Sequence, residues 1–304
     1  MPLTSHSLRV APRTALLLGA LASALCGCAT TPPPSPGTTR YTDEAESRYA
    51  AAMQLYESES WPEATEAFRA VRQDYSVSRF AVLAELRLAD IDFKQEHYAE
   101  ALSAYRAWLR YHASQSEAPY ARFMIARCHY AQMPDDWLLV PASWERDQSS
   151  VHDAMTSLER YVRDYPEARD TPEARRMLRH TRELLARHEM YVADFYASRD
   201  RYNASVSRLL GVLRNYRDSG MEPRALLQLG EIYLRMGRRG EARGAFERLL
   251  EAHADSAEVQ AARAHLGRLG AVQSVPLDLE EAGPPVEAPP DRGGERETRA
   301  TQRR

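Results

Sequence analysis

Cys26 and Cys28 stand one residue apart in the stretch LCGC, and the chain has only one further cysteine, Cys128. Thiols so spaced could ligate a metal, pair with each other or carry a covalent group. A zinc shell needs four ligands, and no histidine or additional cysteine lies close enough in sequence to complete one. His180, Glu183 and His188 occupy one helical stretch, yet spacings of three and five do not bring both histidines to a single ion. Cys128-His129 has the residue types of a nucleophile and its base. Neighbours on a helix point about 100° apart, however, so a buried structural thiol is expected. Asp135-Asp136 reads as solvated or capping carboxylates. No GxGxxG, GxxxxGK[ST], HExxH or GxSxG occurs, and with them go the common phosphate, zinc-protease and acyl-transfer chemistries. The expectation is a chain without catalytic machinery, metal or cofactor. Charge excludes another class. Forty basic and 43 acidic residues are interspersed for a net of −3, with no basic stripe to neutralise phosphates, so nucleic acid is not an expected partner.

What precedes the cysteine pair explains it. Arg9 and Arg13 lead into an apolar run of 11 residues, 15–25, too short for the roughly 20 a membrane span requires but suited to the centre of a secretory signal. Leu25, Gly27 and Cys28 then resemble a bacterial lipobox, in which the thiol is lipidated and the chain is cut before it. Residues 1–27 are read as signal peptide, Cys28 as the lipidated residue and 28–40 as a proline-rich tether. Removing Arg9 and Arg13 takes the net charge from −3 to −5, so the lipid, not surface charge, would hold the protein to a membrane.

Between residues 41 and 270 nearly every segment has helical apolar spacing and none alternates with period two. Glu59-Ser60-Trp61-Pro62 turns one stripe into the next, and the resulting helix hairpin recurs. In the last copy Leu229-Gly230, Tyr233, Ala242, Phe246 and Leu249 fall at the spacings of the tetratricopeptide (TPR) unit, with small Gly230 expected to face Ala242. Upstream, Val192, Ala126, Ala89 and Ala52 are read at the first small position, Val192 fitting poorly. Ala204, Ala154, Ala101 and Ala64 are read at the second. The predicted fold is all-α, an α-solenoid of about five helix pairs: 42–76, 78–113, 116–166 interrupted by an insertion at 133–148, 171–217 and 221–254, then a capping helix near 256–269. A long helix capped by Thr171 joins the middle of the stack to its end, with His188 on its apolar stripe as a hydrogen-bonded core or interface residue. Residues 271–304, poor in aromatics, read as a disordered tail. Solenoids of this kind serve mainly to bind proteins or peptides.

The sequences WERDQSSVHDAMTSLERYVRDYPEARDTPEARRML and HEMYVADFYASRDRYNASVSRLLGVLRNY resemble the BamD family, also called ComL or YfiO, the TPR lipoproteins of the outer-membrane β-barrel assembly machinery. The resemblance runs over roughly residues 25–269. It implies a non-enzymatic scaffold, lipid-anchored at the periplasmic face of the outer membrane, that docks a BamA POTRA domain, sits beside other Bam lipoproteins and helps receive unfolded outer membrane proteins. It implies a BamA-docking role for Arg208. Arg146, Asp147 and Gln148 mark the insertion, as a partner surface or as a local network fixing the loop. An extended signal ending in an aromatic residue and a carboxylate would suit tyrosines and arginines of the first repeats, and Tyr49, Tyr56, Tyr75 and Arg79, with Tyr105 and Tyr120, are the candidates. Tyr75-Ser76, Tyr111-His112 and Tyr216-Arg217 depart from the family's Tyr-Pro helix ends, and Asp200 replaces a common glycine. The alternative reading is another envelope TPR lipoprotein, such as a pilus pilotin or a cell-envelope coordination factor.

Overall fold

The computed structural model describes residues 36–134 and 142–279. Cys28, the signal segment, residues 135–141 of the insertion and residues 280–304 lie outside them. The described residues form eleven α-helices: α1 (Pro36–Glu57), α2 (Trp61–Asp74), α3 (Arg79–Lys94), α4 (Tyr98–His112), α5 (Ala118–Ala131), α6 (Ser149–Asp164), α7 (Thr171–Ala197), α8 (Tyr202–Asn215), α9 (Glu222–Arg235), α10 (Arg239–Ala252) and α11 (Val259–Leu269). Successive helices pack as antiparallel pairs, first helices of neighbouring pairs touch at α1–α3 and α5–α7, and α11 closes the stack. This is the expected all-α solenoid of five pairs.

One turn is reused four times. Glu59, Glu96, Asp200 and Gly237 each adopt positive φ, between 57° and 76°, and each is followed by an amide that reaches back five residues: Ser60 to Leu55, His97 to Asp92, Arg201 to Tyr196 and Arg238 to Tyr233. These bonds satisfy carbonyls that a helix end leaves open. Only Gly237 meets the backbone demand without steric cost. Asp200 departs from glycine yet keeps the geometry, its carboxylate accepting the Tyr202 hydroxyl at 2.6 Å. The helix ends at Tyr75 and Tyr216 also close normally without proline, through amides donating to Val71 and Val212.

Counting from this turn residue corrects the register of the fourth pair. The small position lies seven residues before it, at Ala52, Ala89 and Gly230, and therefore at Ala193, not Val192. The partner position is Ser205, not Ala204: Ser205 is fully buried and Ala204 only partly so. Ala193 too is fully buried, so the poor fit at Val192 disappears. At Gly230 the close approach is made by a ring, and Ala242 is not the residue that needs the space. Phe246 Cδ1 would lie 2.8 Å from a Cβ on Gly230, and Cε1 and Cζ nearer still.

Helix α7, 27 residues long, is roughly 40 Å at 1.5 Å per residue and belongs to two cores. Its first half places Ala174 and Leu178 with Phe123, Leu158 and Tyr161. Its second half places Leu185, Met190 and Ala193 with α8, α9 and α10. Thr171 is its first residue, with Asp170 flanking. The Thr171 hydroxyl donates to Tyr165 O, 2.5 Å away, so it ties the preceding turn and is not the cap.

Two boundaries move. Helix α1 begins at Pro36, five residues inside the proposed tether, because a proline in the first turn forfeits no helical hydrogen bond and Arg40 pairs with Glu44 one turn on. The proposed tail is ordered at its start: Val272, Leu277 and Leu279 pack against the C-terminal core. No helix among the described residues is long and apolar enough to cross a membrane.

Candidate functional site

The first repeats are organised around a residue that sequence reading passed over. Asp90 lies on α3, 1% exposed. Its Oδ2 accepts Arg87 Nη1 at 2.5 Å, and its Oδ1 accepts the hydroxyls of Tyr105 at 2.5 Å and Tyr120 at 2.9 Å. Arg87 Nε in turn donates to the Tyr49 hydroxyl at 3.2 Å. One carboxylate thus joins α1, α3, α4 and α5. Burial, reinforced by the adjacent negative charge, raises the tyrosine pKa values of Tyr105 and Tyr120, so both remain hydroxyl donors. For Arg87, burial opposes the charge but Asp90 and Tyr49 more than offset it, and its pKa is raised.

With Tyr105 and Tyr120 held by Asp90, the structure divides the other four groove candidates of the first repeats. Tyr49 and Tyr56 turn toward the Arg87–Asp90 pair, which perturbs the Tyr56 hydroxyl after burial does. Tyr75 instead packs on Tyr41, ring centres 5.2 Å apart, and exposed Arg79 lies over Phe80. A different surface brings arginines and aromatics together. Between α2 and α4, above α3, a groove of about 430 Å³ is lined by Arg69, Arg72, Glu85, Trp108 and Tyr111, among others. Tyr111 is 76% exposed.

Cys128 is a buried free thiol, and burial pushes its pKa up to about 12, which suppresses the thiolate and with it nucleophilic reactivity. His129 faces Arg106 at 3.1 Å. His180 meets the Tyr130 hydroxyl at 2.9 Å, whereas His188 Nδ1 meets the carbonyl of Trp144 at 2.7 Å. The two histidines therefore serve different contacts. Among the described residues no group of three or more His, Cys, Asp or Glu side chains could hold a metal ion.

The described part of the insertion is fastened to α7. A 3-10 turn, Ser143–Glu145, presents Trp144, whose carbonyl meets His188 and whose ring lies under Arg187 at 5.4 Å. Buried Gln148 donates from Nε2 to Ser143 O at 2.8 Å and to Arg146 O at 2.7 Å. Asp147 accepts the Ser149 amide at 3.3 Å and its hydroxyl at 2.5 Å, starting α6. Asp147 and Gln148 thus belong to a network that shapes the loop and, with Arg146 O, closes it on itself. The residue after His188 on α7, Glu189, accepts Arg208 Nη1 at 3.0 and 3.3 Å. Arg208 is 6% exposed, so it is not a free helix arginine. Beside this pair a hollow of about 320 Å³ opens between α7, the start of α9 and the insertion, its lining including Trp144, Arg187, Tyr191, Met221 and Arg224.

Comparison with known proteins matches this sequence to a family. The YfiO profile, described as "Outer membrane lipoprotein", covers residues 42–249. The Outer membrane protein assembly factor BamD of Caulobacter vibrioides is 25% identical over 195 residues, covering 64% of this chain and 61% of that relative's own length. That of Vibrio cholerae is 24% identical over 226 residues, 73% of this chain and 91% of the relative. Among solved structures, the TPR2AB-domain:pHSP90-complex of yeast Sti1 aligns with a TM-score of 0.39 at 9% identity, over 73% of this chain and 82% of that one. So low a score bears no weight. The profile runs from the first helix through the insertion and α7 into α10, and the chain belongs to the YfiO family of outer membrane lipoproteins.

Proposed function

We propose that this protein is a non-enzymatic scaffold of outer-membrane β-barrel assembly, anchored through Cys28 at the periplasmic face, that docks BamA and helps receive unfolded barrel chains. The observation that carries the reading is the family match over residues 42–249, which includes both features a plain TPR stack has no need of, the insertion and α7. The hollow at Trp144, Tyr191, Met221 and Arg224 is the docking surface in this account. It has an aromatic and methionine floor with arginines at its edge, the composition favoured at interface centres. Arg208 serves it from behind, by holding α8 against Glu189 on α7. At the other end, a chain terminus with an aromatic ring and a carboxylate finds both partners in the α2–α4 groove, at Trp108 and Tyr111 beside Arg69 and Arg72. Tyr49 and Tyr56, turned to Arg87 and Asp90, are less available for it.

Purified full-length protein is expected to retain the POTRA domains of BamA in a pull-down. A Tyr191→Ala/Arg224→Glu variant with unchanged helical circular dichroism is expected to lose them. No retention by the wild type, or equal retention by the variant, contradicts the docking surface.

A further inference from the structure

The chain following α11 returns over the last repeats as a strap, residues 271–279, and the surface beneath it is built to receive extended backbone. Gly240 and Gly244 lie one turn apart on α10. Val275 N–H donates to Gly240 O at 3.0 Å. The Val275 carbonyl occupies the space a Cβ on Gly244 would need, and Val275 Cγ2 stands 2.8 Å from a Cβ position on Gly240. A glycine in a helix interior, as at Gly244, sacrifices roughly 1 kcal/mol of helix propensity, and here Gly244, with Gly240 in the first turn, admits a peptide main chain that a side chain would hold off. Arginines catch carbonyls where the strap begins and ends: Arg243 donates to O of Gly270, the residue just before it, at 2.5 Å, and Arg214, on α8, to Leu279 O at 3.3 Å. Leu277 and Leu279, two apart as on one face of a strand, lie half-buried on the C-terminal core.

The strap's hold is thin. Val275 is 42% exposed, its neighbours Ser274 and Pro276 are exposed too, and the strap's single backbone bond to α10 is the one at Gly240. Segments with few buried apolar contacts and solvent-facing hydrogen bonds open locally at small free-energy cost. We infer that the Gly240–Gly244 face of α10, with Arg214 and Arg243 at its ends, is a binding site for extended polypeptide that residues 271–279 occupy in cis. An unfolded strand with apolar residues at every second position takes the site in trans when the strap lifts. Contacts to main chain give such a site affinity, and the half-buried leucine positions give it preference for that alternation. The identity of the trans ligand rests on the assembly role proposed above; the site itself does not.

The test uses the full chain and a fluorescein-labelled peptide of the strap's own sequence, AVQSVPLDL, read by anisotropy. Two variants open the strap: Leu277→Asp/Leu279→Asp, and Val275→Pro, which removes the N–H donated to Gly240 without placing charge on the core and so keeps the test valid should the acidic pair unsettle the fold. Either opened chain is expected to bind the peptide at least about tenfold more tightly than wild type, a difference near 1.4 kcal/mol. Adding Gly244→Leu is expected to abolish the gain, and an unlabelled peptide with valine or leucine at alternate positions to compete where a permuted one does not. Opened chains that bind no better than wild type, or a Gly244→Leu change without effect, overturn the site. Binding of the strap peptide without competition by the alternating peptide overturns the trans ligand. The assembly role is read separately, from barrel protein levels, and neither result alters that measurement.

Discussion

Glu189→Ala is expected to destabilise the protein by about 3–5 kcal/mol, because it leaves the buried Arg208 guanidinium without its ion partner. Arg208 is 6% exposed and Glu189 17%, so neither charge recovers its hydration when the other is lost. Arg208 Nε already lacks a hydrogen-bond partner, which leaves the carboxylate as the principal compensation for the buried charge. Replacing both at once, Glu189→Leu with Arg208→Met, is expected to cost no more than about 1 kcal/mol, since apolar residues of similar volume need no partner. Urea titrations followed by circular dichroism read both changes. A single-variant loss below about 1 kcal/mol would mean that water reaches the pair, as at exposed ion pairs. The same residues decide how Arg208 bears on docking. Arg208→Glu places two carboxylates together and is expected to lose POTRA association. The charge-swapped Arg208→Glu/Glu189→Arg chain is expected to regain most of it. A swap that restores stability but not association would make Arg208 a contact residue after all.

The second large effect is at Asp90. Asp90→Ala removes the acceptor for one guanidinium and two hydroxyls in a site 1% exposed, and the expected loss is again about 3–5 kcal/mol, the range for an uncompensated buried charge. Tyr105→Phe removes one hydrogen bond and leaves the ion pair standing, so about 1 kcal/mol is expected. Because the carboxylate joins four helices, hydrogen exchange in Asp90→Ala is expected to quicken across α1, α3, α4 and α5 together. Quickening confined to α3 would show that the network does not couple the repeats.

These two pairs also mark where sequence reading succeeded and failed. The solenoid was legible because buried small residues recur twelve positions apart, as at Ala52 and Ala64 or Ala89 and Ala101, and periodicity of 3.6 needs no long-range information. The one-residue slip at Val192 and Ala204 arose where each reading had a plausible neighbour. The turn residue that fixes the register is Asp200, which was read as replacing a glycine, but the small positions were not counted from it. Asp90 was passed over because its partners lie 3, 15 and 30 residues away, and only the packed helices bring Tyr105 and Tyr120 to it. The strap was hidden for a related reason. Its composition reads as disorder, and its fit depends on glycines of α10 that are remote in sequence. Arg208 was singled out as a docking arginine, and its burial against Glu189 was not legible because the partner lies 19 residues away on another helix.

The central claim is service in outer-membrane barrel assembly, and the most direct test is to deplete the protein in the bacterium that makes it and quantify folded β-barrel proteins in the outer membrane. Their levels are expected to fall several-fold, and to be restored by the wild-type chain but not by Cys28→Ala. Unchanged barrel levels on depletion would contradict the account.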